Sequence, residues 1–347
     1  LPISFTIIIY HYFRNTTEFN YLITESINHP VVYLEELART LQRFNTWSER
    51  TVQFIKEWLP KFRLSFAEIE WEGSPVGEQH RDPFEKFKDF IKELNTESNK
   101  VVVMIDEFPQ TIQNITNKQG TDTAKQFLQF NREIRQLANS TLGFIFTGSI
   151  GLYAITEKLA ATQTINDLNS IEIPPLSKSK ATALVTRLLD EARITYQPDM
   201  SEELLQRLGS FHPFYLQLAV QEIIDEFEST GQTIDSSAVE RAFNKILHRR
   251  NDHYFEHYYQ RLKMVLLAED FQLALAILNT LATQEYGLHL TQIQELATQA
   301  AADNLSFVLR SLEFDGYLFA SEMADQTIYR FTSPILREWW RLRVVGV

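Results

Sequence analysis

The chain has 347 residues, 44% of them apolar and 25 of them Phe, enough for two or three cores at roughly 100 to 200 residues each, which excludes a disordered or fibrous protein. Its formal charge of −12 makes the chain as a whole no general polyanion binder, so any DNA contact has to be local. It contains no Cys, which excludes disulfides, thiolate zinc sites and cysteine nucleophiles, and only 11 Gly with none before Gly73, so neither G-x-x-x-x-G-K-[ST] nor G-x-G-x-x-G occurs in it.

Residues Leu1–Phe13 are apolar but interrupted by Tyr10, His11 and Tyr12. They form neither a membrane span of about 20 residues nor a signal with a basic leader, and a soluble, cytoplasmic chain with no membrane partner is expected. The first residue is Leu rather than Met, which suggests that residues upstream are missing. Phe5–Tyr10 reads as a buried strand, with apolar residues on both faces. Glu18–Ile27, Leu34–Phe44 and Ser48–Leu59 carry 3-4 spaced apolar residues and read as helices, the last ending before Pro60. The stretch from Pro60 to Pro83, with Gly73, Pro75 and Gly77, reads as a hairpin or excursion, after which Phe84–Leu94 returns to helix.

Asn99–Asp106 is the strongest strand signal, five apolar residues ending on an acid. Thr123–Leu137 is an amphipathic helix, Leu142–Thr147 a second buried strand, and Ser170–Ile173 a short third one closed by Pro174-Pro175. Strands alternating with helices predict an α/β core built on a parallel sheet covered on both faces. From Ser177 the pattern is helical only, through Lys178–Ala192, Ser201–Leu208, His212–Phe227 and Ser236–His248. The last 80 residues predict three helices, Phe271–Thr283, Thr291–Gln299 and Asn304–Phe314, then a hairpin of Tyr317–Ala320 and Thr327–Phe331, the plan of a winged helix. The division is thus residues 1–175 as core, 176–262 as helical lid and linker, and 263–347 as winged helix.

Asp106 and Glu107 fall at the carboxyl end of a buried strand, where open α/β sheets bind their ligands. An acid there can hold Mg²⁺, directly or through water, and the next can polarise an attacking water; the bland alternative is a pair of acids at a solvated strand end. The second strand ends in Thr147-Gly148-Ser149, which places hydroxyls beside that acid. Arg132 and Arg135, on the helix between the strands, are candidates for stabilising transferring phosphate charge toward a neighbouring subunit, or else ordinary solvated or acid-paired arginines. Arg241–Lys263 is locally basic, with six Lys or Arg. Arg249, Arg250 and Lys263 are its candidates for DNA phosphates. His253 and His257, four residues apart, would share a helix face, a metal-binding spacing without an evident third ligand.

V-V-V-M-I-D-E-F-P, F-I-F-T-G-S-I-G-L, I-E-I-P-P-L-S-K, G-S-F-H-P-F-Y-L-Q-L and Y-R-F-T-S-P-I-L-R-E-W-W, in that order and spacing, resemble the prokaryotic AAA+ ATPases that end in a winged helix, relatives of the origin-recognition-like and STAND ATPases. The resemblance covers nearly the whole chain. It implies an ATP-binding core with Mg²⁺, a helical lid, Asp106 and Glu107 as Walker B, Thr147 or Ser149 as sensor 1, and His212-Pro213 as the lid motif near the nucleotide. It implies an ATP-hydrolysing switch, a homo-oligomer in some members, and DNA or protein as partner of the winged helix. The family's first strand and Walker A loop have no counterpart here. Phe5–Tyr10 matches its second strand, and the missing first strand would lie between Phe144–Thr147 and Ile171–Ile173. An ATPase lacking its N-terminal piece and a non-catalytic pseudo-ATPase acting as a regulator both fit. In the winged helix, Asn304–Phe314 would be the recognition element, offering Ser306, Arg310 and Ser311 on its outer face, with Arg310 the one base. Five Arg against ten acids from Val265 onward make protein docking as fitting as DNA reading. Trp339 and Trp340 are expected to pack a terminal helix against its own domain.

Overall fold

The computed structural model describes residues 18–71, 82–94, 100–138, 142–148, 151–171, 173–266, 268–297, 303–323 and 326–347, with residues 64–71 and 323 described as backbone only. They divide into two compact units, one ending at Ser170 and the other running from Ile171 to Val347.

The first unit is α/β. Strands β1 (Glu18–Ile23), β2 (Val101–Asp106) and β3 (Leu142–Phe146) form a parallel sheet in the order β1-β2-β3. Strand β2 is central and almost continuously apolar, as expected of a strand covered on both faces. Its helices are α1 (Pro30–Gln42), α2 (Glu49–Trp71), α3 (Pro83–Leu94), α4 (Phe108–Gln119), α5 (Thr121–Ala138) and α6 (Leu152–Lys158). Pro30 starts α1 at a position whose N–H would be unpaired anyway, and His29 caps it by accepting from the Val31 N–H at 3.2 Å. Tyr33, Phe108 and Phe127 meet over the sheet, with the Tyr33 and Phe127 rings edge to face at 4.9 Å.

Three expectations fail in this unit. Glu18–Ile27 does not form a helix, because its first six residues pair in register with Val101–Asp106 and the Glu18 carboxylate accepts from the Asn45 and Thr46 backbone N–H groups. The spacing of Phe19, Leu22 and Ile23 suits either element, and the ladder decides. The strand paired with β2 on the side away from β3 is β1, while Phe5–Tyr10, expected as a buried strand, lies outside the described residues. Nor does Pro60 end its helix: α2 runs through it to Trp71. An interior Pro costs about 3 kcal/mol, offset here by Trp58 stacking on Phe62 at 4.5 Å and on Phe90 at 4.4 Å, with Phe62 buried. Finally, the described residues of 170–173 carry no strand, and Ile171 is exposed; the free edge of β3 has no partner strand among the described residues.

The second unit opens with four helices, α7 (Lys178–Glu191), α8 (Met200–Leu208), α9 (Pro213–Thr230) and α10 (Ser236–Ile246), followed by a 3-10 turn at Arg249–Tyr254 and α11 (Glu256–Val265). Then come α12 (Ala268–Thr283), β4 (Leu288–His289), α13 (Leu290–Leu296), α14 (Leu305–Phe314), β5 (Leu318–Met323), β6 (Gln326–Phe331) and α15 (Pro334–Trp340). The strands form an antiparallel sheet in the order β4-β6-β5. Gly209 caps α8 at φ +62°, and a Cβ there would lie 2.8 Å from Pro334 Cγ, so a side chain is excluded twice over.

Two further readings change. Trp340 is fully buried and donates to Asn279 at 2.8 Å, within its own domain as expected. Trp339 instead reaches back to Asp252, at 3.1 Å, and stacks on Phe255. Arg343 also binds Asp252, at 2.9 and 3.0 Å, so the last helix is tied to the segment before α11. His253 and His257 do not share a helix face, because the 3-10 turn ends at Tyr254 and α11 begins at Glu256.

Candidate functional site

The carboxyl end of the parallel sheet brings together the ends of all three strands. The Asp106 carboxylate, closing β2, accepts at Oδ1 from the Thr147 hydroxyl at 2.6 Å and from the Glu107 N–H at 3.1 Å. Thr147 follows β3 directly, and its N–H donates to the Ile105 carbonyl at 2.9 Å, so the parallel register of β2 and β3 sets this contact. Thr24, following β1, donates to the Asp106 carbonyl from its N–H at 3.0 Å and its hydroxyl at 2.7 Å. Among the described residues no donor reaches Asp106 Oδ2.

Glu107 adopts the left-handed conformation, φ 58° and ψ 32°, at the cap of α4. For a residue with a Cβ that costs about 1 to 2 kcal/mol. The turn it makes is held on both sides: the Phe108 N–H donates to the Thr147 carbonyl at 3.1 Å, the Thr111 N–H returns to the Glu107 carbonyl at 3.0 Å, and Phe108 is fully buried. Gly148 passes so close to this turn that a Cβ there would lie 2.5 Å from Pro109 Cδ and 3.6 Å from Glu107 Oε2. Glycine is therefore required by the approach of two chain segments, and the Glu107 carboxylate lies beside the end of β3. Both acids are half-buried, a setting in which an anchored carboxylate acts on a bound cation or water with less screening than on the open surface.

The arrangement offers one carboxylate oxygen with no donor among the described residues, a second carboxylate beside it and a hydroxyl that fixes the first. Mg²⁺ is commonly held by one or two carboxylates together with phosphate oxygens and water, and the free Oδ2 of Asp106 suits that role. Among the described residues no group of three or more His, Asp or Glu exists that would hold a metal by itself.

The other candidates fall elsewhere. Ser149 lies outside the described residues. Arg135 is engaged within its own chain: it binds both Asp167 oxygens, at 2.7 and 2.9 Å, donates to the Thr164 carbonyl at 2.6 Å and lies over the Phe146 ring. Its guanidinium lowers the Asp167 carboxyl below the usual range. Arg132, a turn earlier on α5, is half-buried, and its Nε has no hydrogen-bond partner among the described residues. His212 caps α9 without a side-chain cap bond and meets the Tyr215 ring edge to face; burial lowers its pKa. Pro213 is the first residue of that helix.

Much of the basic stretch is neutralised locally. Arg241 and Lys245 bind Glu226, and Arg250 approaches Glu222 at 3.6 Å. Arg249 is exposed, with no side-chain partner given by the described residues. Arg310 stands exposed on α14, its Nε 3.3 Å from the Ser306 carbonyl of its own helix. Ser311, expected on the same outer face, is buried instead, because the face that packs on α12 includes it along with Val308 and Leu312.

Sequence reasoning missed Thr24 and the Gly148–Pro109 approach. Both depend on neighbours more than 30 positions away, and Thr24 offers no local signal beyond a hydroxyl at the end of an apolar run.

No protein-family model and no curated protein matches the chain. Solved structures similar to it include the Aeropyrum pernix ORC2 protein in ADPNP–ADP complexes, at 12% identity and a TM-score of 0.47, covering 99% of this chain and 81% of that one. The Pyrobaculum aerophilum Cdc6p structure is 12% identical with a TM-score of 0.40, covering 95% and 80%. The Thermotoga maritima RuvB Holliday junction branch migration motor is 14% identical with a TM-score of 0.32, covering 70% and 71%.

Proposed function

We propose that the chain is an ATP-binding and ATP-hydrolysing switch of the AAA+ type, working in the cytoplasm. The observation that supports it most is the junction of Asp106, Glu107 and Thr147 at the carboxyl end of a parallel sheet, the position at which such sheets handle phosphates. In this reading Asp106 Oδ2 holds Mg²⁺, which when bound supplies charge neutralisation at the phosphates. Glu107, aimed past the end of β3 by its left-handed backbone, takes up a proton from the attacking water. Thr147 keeps the Asp106 carboxylate in one orientation and presents its hydroxyl oxygen toward the same space, a role Ser149 would share. His212 and Pro213 are the lid's contribution, and the three-helix and sheet module after Ala268 is a winged helix. The division into residues 1–175, 176–262 and 263–347 and any homo-oligomeric assembly belong to the same proposal.

A second reading rests on a specific observation. The 347 residues contain no phosphate-cradling G-x-x-x-x-G-K-[ST] loop, and Glu107 can activate water only on a phosphate that something else positions. In this reading the scaffold acts as a regulator without turnover. Titration calorimetry with Mg-ATP separates the two readings. The switch predicts binding that weakens at least about tenfold in Asp106→Asn and hydrolysis that stops in Glu107→Gln with binding kept. Absence of Mg-ATP binding, or normal hydrolysis by the Glu107→Gln variant, overturns it.

A further inference from the structure

Between Gly231 and Gly287 the sequence contains neither Gly nor Pro. A joint on which two modules move separately is ordinarily an exposed linker rich in Pro, Gly and polar residues. Here the chain leaving α10 forms the 3-10 turn at Arg249–Tyr254 and then α11, and Leu247, Phe255, Leu262, Val265 and Leu266 along it are buried.

This connection makes contacts in two directions at once. Phe255, fully buried, stacks on Tyr215 of α9 at 6.0 Å and on Trp339 of α15 at 5.6 Å, so ring contacts run from one helix to the other through a single residue. Tyr258 of α11 repeats the pattern. Its hydroxyl lies 3.3 Å from that of Tyr215, and its backbone carbonyl accepts from the Tyr317 hydroxyl at 2.7 Å. Asp252 adds charge, accepting from Arg343 at 2.9 and 3.0 Å and from Trp339 Nε1 at 3.1 Å. Arg343 goes on to donate to the Leu247 carbonyl at 2.6 Å, immediately after α10. The end of α8 also meets the start of α15, where Gly209 approaches Pro334.

Separating α8 and α9 from the elements after Ala268 would take neighbours away from Tyr215, Phe255, Tyr317 and Trp339, each at most 4% exposed, and would strip a carboxylate of its guanidinium. Aromatic side chains of this kind bury about 150 to 250 Å² each. Relative motion of modules is the ordinary expectation unless their interface is large and hydrophobic, and these ring contacts supply that exception.

We propose that the helices from Lys178 to Ile246 and the module from Ala268 to Val347 are one rigid body, held by the Tyr215–Phe255–Trp339 contacts and the Asp252–Arg343 pair. Tyr215 follows His212 by one turn and meets its ring edge to face. A displacement of His212 is therefore carried into α15 and, through Tyr258 and Tyr317, to the start of β5. On the reading of His212 as the lid's contact to nucleotide, the module is a lever that moves with the lid and has no joint of its own. The rigidity does not rest on that reading, because no nucleotide contact enters it.

The chain contains no Cys, so two introduced cysteines would carry the only spin labels. Glu228→Cys on α9 and Ser306→Cys on α14 are both at exposed positions. Double electron–electron resonance on the labelled full chain should give one narrow distance population without nucleotide, unchanged by Mg-ATP. Adding Asp252→Ser together with Arg343→Met, or Phe255→Ala alone, should replace that single population with a broad distribution. Several populations or a broad one in the labelled chain without these changes overturns the proposal, whether or not the variants fold. A distance that Mg-ATP shifts, or a single population that survives in both variants, overturns it too. Failure of the ATP reading would show instead as absent Mg-ATP binding in calorimetry with the narrow population intact.

Discussion

Carboxylates mark both the end of the parallel sheet and the stretch from Ala268 to Phe331, yet the two regions arrange them in opposite ways. At the sheet, Asp106 is held by a hydroxyl and a backbone N–H, and Glu107 sits in an unfavourable backbone conformation, so two acids are held at defined points. From Ala268 to Phe331, nine acids are spread over 64 positions and contribute a summed negative field. The first arrangement depends on hydrogen-bond geometry and burial. The second depends on net charge and tolerates the loss of any one member. Count and sign therefore say little about chemistry until the partners of each carboxylate are known.

The comparison breaks most visibly if the C-terminal unit is hollowed. Trp340 is fully buried, and Trp340→Ala should cost about 3 to 5 kcal/mol, read as a lower midpoint in denaturant melts. If the units unfold independently, the transition assigned to the sheet stays in place.

Arg135→Met probes the first unit. It removes three hydrogen bonds, two of them to a carboxylate, and should destabilise that unit by about 2 to 3 kcal/mol near pH 7. Because the folded Asp167 carboxyl is lowered, its pair with Arg135 stabilises the fold above the unfolded carboxyl value of about 3.9 and loses that contribution as pH falls through the folded value. The melting difference between Arg135→Met and the unsubstituted chain should accordingly shrink on acidification below about pH 4; an unchanged difference contradicts the assignment.

Thr147→Val sharpens the contrast at the site itself. It removes the donor to Asp106 while keeping the side-chain shape, and should cost about 1.5 to 3 kcal/mol of stability in thermal melts. Any Mg²⁺-dependent ligand binding should weaken with it. The smallest effect is expected on the module's surface. Phe314→Ser should stay within about 0.5 kcal/mol of the unsubstituted chain in the same melts, because most of that side chain is exposed.

Much of this was readable from residues alone, where one element's own pattern was decisive. The run Val101–Asp106 announces a covered central strand because apolar β-branched residues on both faces fit no exposed element. The 3-4 spacing and caps from Lys178 to Ile246 likewise gave four helices in nearly their observed places. Placing Asp106 and Thr147 at adjoining strand ends followed from parallel order, and the 2.6 Å contact agrees with it.

What sequence alone determined, then, was the kind of each strongly patterned element, the charge of each region and the chemical types available at the sheet's end, since these depend on residues within a few positions of one another. The tertiary structure decided the rest. Glu18–Ile23 became a strand because β2 supplied its hydrogen bonds, and α2 continued through Pro60 because aromatic stacking offset the missing bond. Arg135 turned inward because Asp167 lay within reach, and Ser311 was buried because α14 rolled that side onto α12. Each of those outcomes depends on atoms distant in sequence, whose contributions of a few kcal/mol exceed the differences of about 1 kcal/mol that separate local conformations.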